Sequence, residues 1–174
     1  TIAVQPDGKI LIGGPFGGIL SESGLHQHMY LARLHAHGSV DTTFNPVLNG
    51  SVTSIVVQPD GRILVAGYFT AFNGGTIPAP RIGRLNADGT VDTSFASGAD
   101  ATVYTMALQG DGKILVGGLF LRLGAGTGTL RSRIGRLHPD GSVDATFNPG
   151  ANDNVYGIAL QGDGRVLVGG AFSG

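Results

Sequence analysis

The sequence predicts an all-β protein, a β-propeller built of four-stranded antiparallel blades. Three observations predict it. The chain repeats itself: Gln5-Pro6-Asp7-Gly8-Lys9-Ile10-Leu11 returns as Gln58-Pro59-Asp60-Gly61-Arg62-Ile63-Leu64, as Gln109-Gly110-Asp111-Gly112-Lys113-Ile114-Leu115 and as Gln161-Gly162-Asp163-Gly164-Arg165-Val166-Leu167. Each copy alternates short runs of β-branched and aromatic residues with Asp-Gly turns, which is a hairpin signature. No segment sustains a helical period between those turns.

The turn glycines Gly8, Gly61, Gly112 and Gly164 stand 53, 51 and 52 positions apart, so the period is about 52 residues. Four antiparallel strands in a unit of about that length make a propeller blade, whereas most β-solenoid coils are shorter. The expected blades are residues 1–51, 52–102 and 103–154, with 155–174 as the first half of a fourth. This is an incomplete arc of about 3.5 blades.

The second copy displays each element. Strand A is 52–57 (VTSIVV) and strand B is 62–69 (RILVAGYF). The short turn between them sets Gln58 opposite Arg62 and Val57 opposite Ile63. Strand C is 81–86 (RIGRLN) and strand D is 90–95 (TVDTSF), joined by Ala87-Asp88-Gly89. Glycine suits the last turn position, where a left-handed backbone repels side chains. The same register places Arg84 opposite Asp92. Structural ion pairs Arg33–Asp41, Arg84–Asp92 and Arg136–Asp144 are therefore expected, one per blade, as cross-strand opposite charges. Phe16, Phe69, Phe120 and Phe172 end strand B, and Phe44, Phe95 and Phe147 end strand D. Repetition at fixed spacing reads as inter-blade core. Glycines at the end of strand B (Gly13-Gly14, Gly67, Gly117-Gly118 and Gly169-Gly170) permit a close backbone approach.

Composition removes several function classes. The chain has 174 residues, of which 31 are glycine, and a net charge of −1. A near-neutral chain lacks the positive field that binds nucleic acid. No apolar run approaches the length of a membrane span, so no membrane insertion is expected. Without cysteine there is no disulfide, thiolate nucleophile or Cys-ligated zinc. No strained nucleophile elbow occurs. No catalytic residue, metal or cofactor is expected.

The remaining variation lies in the B–C and D–A loops, which emerge on one side of an up-and-down blade. Loops on a rigid scaffold carry function. The candidate binding face therefore comprises His26, His28, Phe72, Asn73, Asp100, Arg122, Arg131 and Asp153, with Glu22 beside them. His26 and His28 flank Gln27 and point the same way if extended, imidazole being the commonest metal ligand, but the reading without a metal is the favoured one. His35 and His37 fall in the C–D turn on the opposite side, so the two pairs do not combine. Tyr104 and Tyr156 are the features that distinguish otherwise similar A strands, and Tyr68, Phe72 and Asn73 hint at a glycan surface.

The strings QPDGKILIGG, QPDGRILVAGYF, RIGRLNADGTVDTSF and RIGRLHPDGSVDATFNPGA resemble the delta-60 repeat family of bacterial β-propeller repeats. The resemblance covers nearly the whole chain. It implies a secreted or cell-surface, non-enzymatic propeller within a larger multidomain chain, with no established catalytic residues. Tyr30 in place of Arg81 and Arg133, His37 in place of a turn Asp, and Gly110 and Gly162 in place of Pro are mild departures. The expected function is a non-catalytic extracellular module, a scaffold or adhesive domain. One alternative is a carbohydrate-binding propeller using the B–C/D–A face, and another is a propeller hydrolase or lyase with an axial site. The chain begins inside strand A and stops after strand B. The expected partners are thus the rest of a longer chain or neighbouring copies completing the ring, and a surface protein or glycan.

Overall fold

A computed structural model describes residues 1–21 and 24–173. Its strands are β1 (Ile2–Val4), β2 (Ile10–Gly13), β3 (Ile19–Ser21), β4 (Gly24–His26), β5 (Leu31–Leu34), β6 (Val52–Val57), β7 (Ile63–Gly67), β8 (Ala71–Phe72) and β9 (Ile77–Pro78). They continue as β10 (Ile82–Leu85), β11 (Val103–Leu108), β12 (Ile114–Gly118), β13 (Arg122–Leu123), β14 (Thr129–Leu130), β15 (Ile134–Leu137), β16 (Val155–Leu160) and β17 (Val166–Gly170).

Each repeat places strand B between strands A and C. The sheets are β1-β2-β5, β6-β7-β10 and β11-β12-β15, followed by the pair β16-β17. Turn chemistry sets the register. Gln58 N–H bonds Arg62 O at 2.8 Å, Val57 pairs with Ile63, and Gly61 takes φ +85° in the turn. The aspartate one residue before that glycine accepts the N–H two residues on, as Asp60 Oδ1 does from Arg62 at 3.0 Å.

Strand D departs from expectation. The sheets are two- or three-stranded, and the segment after the C–D turn makes a single bridge in each repeat: Leu34–Val40, Leu85–Val91 and Leu137–Val143. The reason is local. Asp41 Oδ1 accepts from Thr43 N–H at 3.1 Å and Thr43 Oγ1 at 2.6 Å, and Asp92–Ser94 and Asp144–Thr146 do the same. These side-chain turns compete with the ladder and bend the chain away.

The B–C connection also differs from a plain loop. It folds into a two-stranded ribbon in each repeat, β3-β4, β8-β9 and β13-β14. Bridges Leu48–Phe72 and Ala99–Leu123 tie the D–A loop to two of the ribbons.

The core lies between successive sheets, whose A strands are neighbours: β1 beside β6, β6 beside β11 and β11 beside β16. One cluster gathers Leu11, Leu31, Phe44, Val52, Ile63 and Phe69; the next gathers Leu64, Ile82, Phe95, Val103, Ile114 and Phe120. Full burial of such a side chain stabilises by about 1.5–3 kcal/mol. Coverage falls at the outer sheets: Phe69 and Phe120 are fully buried, whereas Phe172 is 36% exposed.

Candidate functional site

The two ends of the repeats have different chemistry. At one end lie the A–B and C–D turns; at the other, the start of strand A, the end of strand B and the start of strand C converge.

At the turn end, each strand C arginine meets a strand D aspartate. Arg33 Nε donates to Asp41 Oδ2 at 2.9 Å, Arg84 Nε to Asp92 Oδ2 at 2.8 Å, and Arg136 Nε to Asp144 Oδ2 at 2.9 Å. Each guanidinium covers the phenylalanine that follows, at 4.3 Å for Phe44 and 4.6 Å for Phe95 and Phe147. The first two also reach into the next repeat. Arg33 Nη1 donates to Ala87 O and Arg84 Nη1 to Pro139 O, each at 2.6 Å. The pair is thus a clamp between sheets. Arg136 turns instead to Gln109 Oε1 of its own repeat at 3.3 Å. Lys113 Nζ adds a second cation 3.0 Å from Asp144 Oδ2.

Burial of Asp41 favours its protonated form, but the bonds from Thr43 and Arg33 outweigh this and hold the carboxyl at about 2. Bonds from Thr146 and Lys113 hold Asp144 further below the ordinary carboxylate value.

The opposite end is built on a recurrent β-bulge. Val103 pairs with Gly118 and Thr105 with Gly117, which leaves Tyr104 as the extra residue. Thr53 and Tyr156 occupy the same place in β6 and β16. A bulge re-aims the extra side chain. Strand B ends in glycine opposite it because backbone carbonyls press there: a Cβ on Gly118 would run into Thr102 O, and one on Gly67 into Ser51 O.

The bulge sets Tyr104 and Tyr156 in line with Tyr68, which follows β7. Ring centroids are 6.4 Å apart for Tyr68–Tyr104 and 5.3 Å for Tyr104–Tyr156, tilted by 65° and 50°. Tyr68 and Tyr156 are exposed, and Tyr104 between them is half-buried. Burial raises the Tyr104 hydroxyl above its ordinary value, assisted by Tyr68 and Tyr156, while the Arg133 guanidinium pulls the other way. Arg81 and Arg133 stand beside the row. Their Nη1 atoms donate to Tyr68 O and Leu119 O, and both residues take left-handed backbone, at φ 71° and 66°.

The residues expected on the loop face scatter into several roles. Phe72 is not on the surface: it is fully buried, with its ring against Gly83 and 5.3 Å from the Phe69 ring. The β8-β9 ribbon folds back over the glycine of strand C, and Leu123 does the same against Gly135 in the next repeat. His28 is buried at 3% exposure, and Arg131, at 5%, donates to Leu130 O and Asp144 O. The rings of His26 and His28 lie 6.5 Å apart. Burial, then His26, lowers the His28 pKa.

Asp100 serves architecture. Its Oδ1 accepts from the N–H groups of Leu121 and Arg122, both at 2.9 Å, as Asn49 does for Thr70 and Ala71. Its counterpart in the third repeat is Asn152, bonded to Ser173 N–H, rather than Asp153. Asp153 Oδ1 accepts from Asn154 N–H. Asn73 begins a tight turn at φ 50° and its N–H bonds Val47 O. Arg122 is exposed and donates to Gly128 O. Glu22 lies outside the described residues. Among the described residues no group of three His, Cys, Asp or Glu side chains is placed to hold a metal.

The residues that do converge are the tyrosines. The sequence singles them out separately, because they are aromatic where the repeat is not. What it hides is the bulge that brings them into one row.

A cleft of 770 Å³ lies between the third sheet and β17, lined by Ile134, Phe147, Val166, Val168 and Phe172 among others. One repeat earlier, the corresponding Ile82, Phe95, Ile114, Val116 and Phe120 pack with Leu123 and Leu137 in a closed core.

A family model described as a domain of unknown function (DUF5122) β-propeller matches residues 5–44, 58–95 and 109–147, more than half of the chain. The chain is also similar to virginiamycin B lyase of Nocardia farcinica (strain IFM 10152), at 28% identity over 189 residues and 90% of this chain. It spans 63% of the length of that curated relative.

Proposed function

The chain belongs to the DUF5122 β-propeller family, and from that premise we propose that it is a non-catalytic, extracellular or cell-surface propeller module. It acts as a rigid scaffold within a larger chain or assembly and presents the strand-A-start end of its blades to a surface protein or glycan. One observation carries this reading: the strand C arginines and strand D aspartates of the turn end are bonded to one another, and Arg33 and Arg84 also reach the next sheet, while three tyrosines that break the repeat line up at the other end, two of them exposed. A further propeller repeat, from its own chain or a neighbouring copy, seats on the cleft beside β17. The test pairs two measurements. Sedimentation of the isolated chain is expected to reveal self-association through the apolar end sheets; a monodisperse folded monomer contradicts that part. Binding of purified surface glycans or proteins is expected to weaken when Tyr68 and Tyr156 are replaced by Ser, and unchanged binding contradicts the choice of face.

The second reading is a propeller lyase with an axial site. It is favoured by the similarity to a protein named as a lyase and by a tyrosine, Tyr104, on which the Arg133 guanidinium acts electrostatically. Incubation with virginiamycin B separates the two. The scaffold reading expects no consumption of the compound, and turnover lost in Tyr104→Phe would replace it with the enzyme.

A further inference from the structure

We propose that Tyr68, Tyr104 and Tyr156 form a binding ridge for a glycan chain, with Arg81 and Arg133 as its polar flank. The proposal rests on the strand-A-start end being the binding face, and adds the ligand class and the residues that select it.

Three consecutive sheets contribute one ring each, so the ridge crosses the face rather than running along a single strand. Tyr68 is 51% exposed and Tyr156 55% exposed. Four recurring phenylalanines, Phe44, Phe69, Phe95 and Phe120, are buried, whereas the Tyr68 and Tyr156 rings stand in water as an unexplained aromatic surface. The bulge makes it: at the same register the second repeat has Thr53, whose hydroxyl turns inward to Ala66 O and Val103 O. Architecture is therefore satisfied by a small residue there. The register thus accepts threonine as well as tyrosine.

The chemistry of the ridge selects the ligand. A tyrosine offers an apolar face and a hydroxyl at its tip. A sugar ring is the complement, with C–H bonds on its face and hydroxyls at its rim. Guanidinium groups are planar multi-donors that recognise hydroxyl and carboxylate oxygens. Arg81 and Arg133 are held beside the rings through their bonds to Tyr68 O and Leu119 O. Ring geometry argues against the other ligand that aromatic surfaces commonly take, an extended proline-rich peptide. Such a peptide docks in a groove lined by aromatic rings. Here the rings tilt against one another at centroid separations of 6.4 and 5.3 Å, which fills the space between them and leaves a ridge. Successive sugars along a glycan are rotated relative to one another, and tilted platforms suit that arrangement.

The chain carries its own reporter. It contains four tyrosines and no tryptophan, and three of the four tyrosines belong to the ridge. Intrinsic tyrosine emission is followed while cellohexaose, hexagalacturonate or a proline-rich peptide is titrated. The two oligosaccharides distinguish a neutral from an acidic glycan. A saturable response to at least one of them is expected, weakened about tenfold by Tyr104→Ala and by the more exposed Tyr156→Ala. The proposal is overturned if neither oligosaccharide produces a saturable response, or if both variants bind as the parent does. A response to the peptide alone, lost in the same variants, removes the glycan but leaves the binding face standing. Silence with all three probes removes both.

Discussion

The two ends of the repeat unit teach opposite lessons from the same scaffold. At the turn end, three copies repeat one constellation: arginine on aspartate at 2.8–2.9 Å and guanidinium over phenylalanine at 4.3–4.6 Å. At the other end, one bulge position carries Thr53, then Tyr104, then Tyr156. Charge that recurs with the fold period serves the fold. A side chain that breaks the period at a place where the fold accepts a smaller one is free to serve a ligand.

The largest effect expected from breaking this contrast is in Arg84→Met. Its side chain is 4% exposed and joins Asp92 to Pro139 O of the next repeat. Its loss leaves the part-buried Asp92 with the more exposed Arg62 guanidinium, 3.8 Å away, as its cation, and we expect about 3 kcal/mol of lost stability by urea unfolding. Acid should weaken the same end. The folded Asp41 carboxyl lies at about 2, below its ordinary 3.8. Its contribution is therefore complete above about pH 4 and is lost as pH falls toward 2, with Asp92 and Asp144 shifted in the same direction. A thermal melt series across that range checks it, and Asp41→Asn should flatten the slope. Arg136→Met should cost less, about 1 kcal/mol, because its side chain is 19% exposed and, among the described residues, it makes no bond into the following repeat. Tyr156→Ala should change stability least, within about 0.5 kcal/mol, as an exposed surface substitution.

Much of this architecture is legible in the residues. The Asp-Gly turns punctuate the chain, and their length fixes the hairpin register, so that Val57 meets Ile63 and Leu85 meets Val91. Strand D is less legible because the carboxylates of Asp41, Asp92 and Asp144 each have two oxygens. One meets arginine, and the other bends the chain onto the residue two positions later. The ribbons between strands B and C are only two or three residues per strand, too short for an alternation to register. Phe72 looks like a lone aromatic in a polar loop. Only the glycine beneath it, Gly83, reveals a core position that Leu123 fills in the next repeat. The tyrosine row is hidden in the sequence for a different reason. Strand alternation assigns faces by parity, and a single bulge inverts the assignment.

The most direct measurement of the division between the two ends is a side-by-side comparison of urea midpoints for the parent, Arg84→Met and Tyr156→Ala. The expected midpoint is strongly lowered in Arg84→Met and indistinguishable from the parent in Tyr156→Ala. A parent-like Arg84→Met, or a Tyr156→Ala chain as unstable as Arg84→Met, would contradict it.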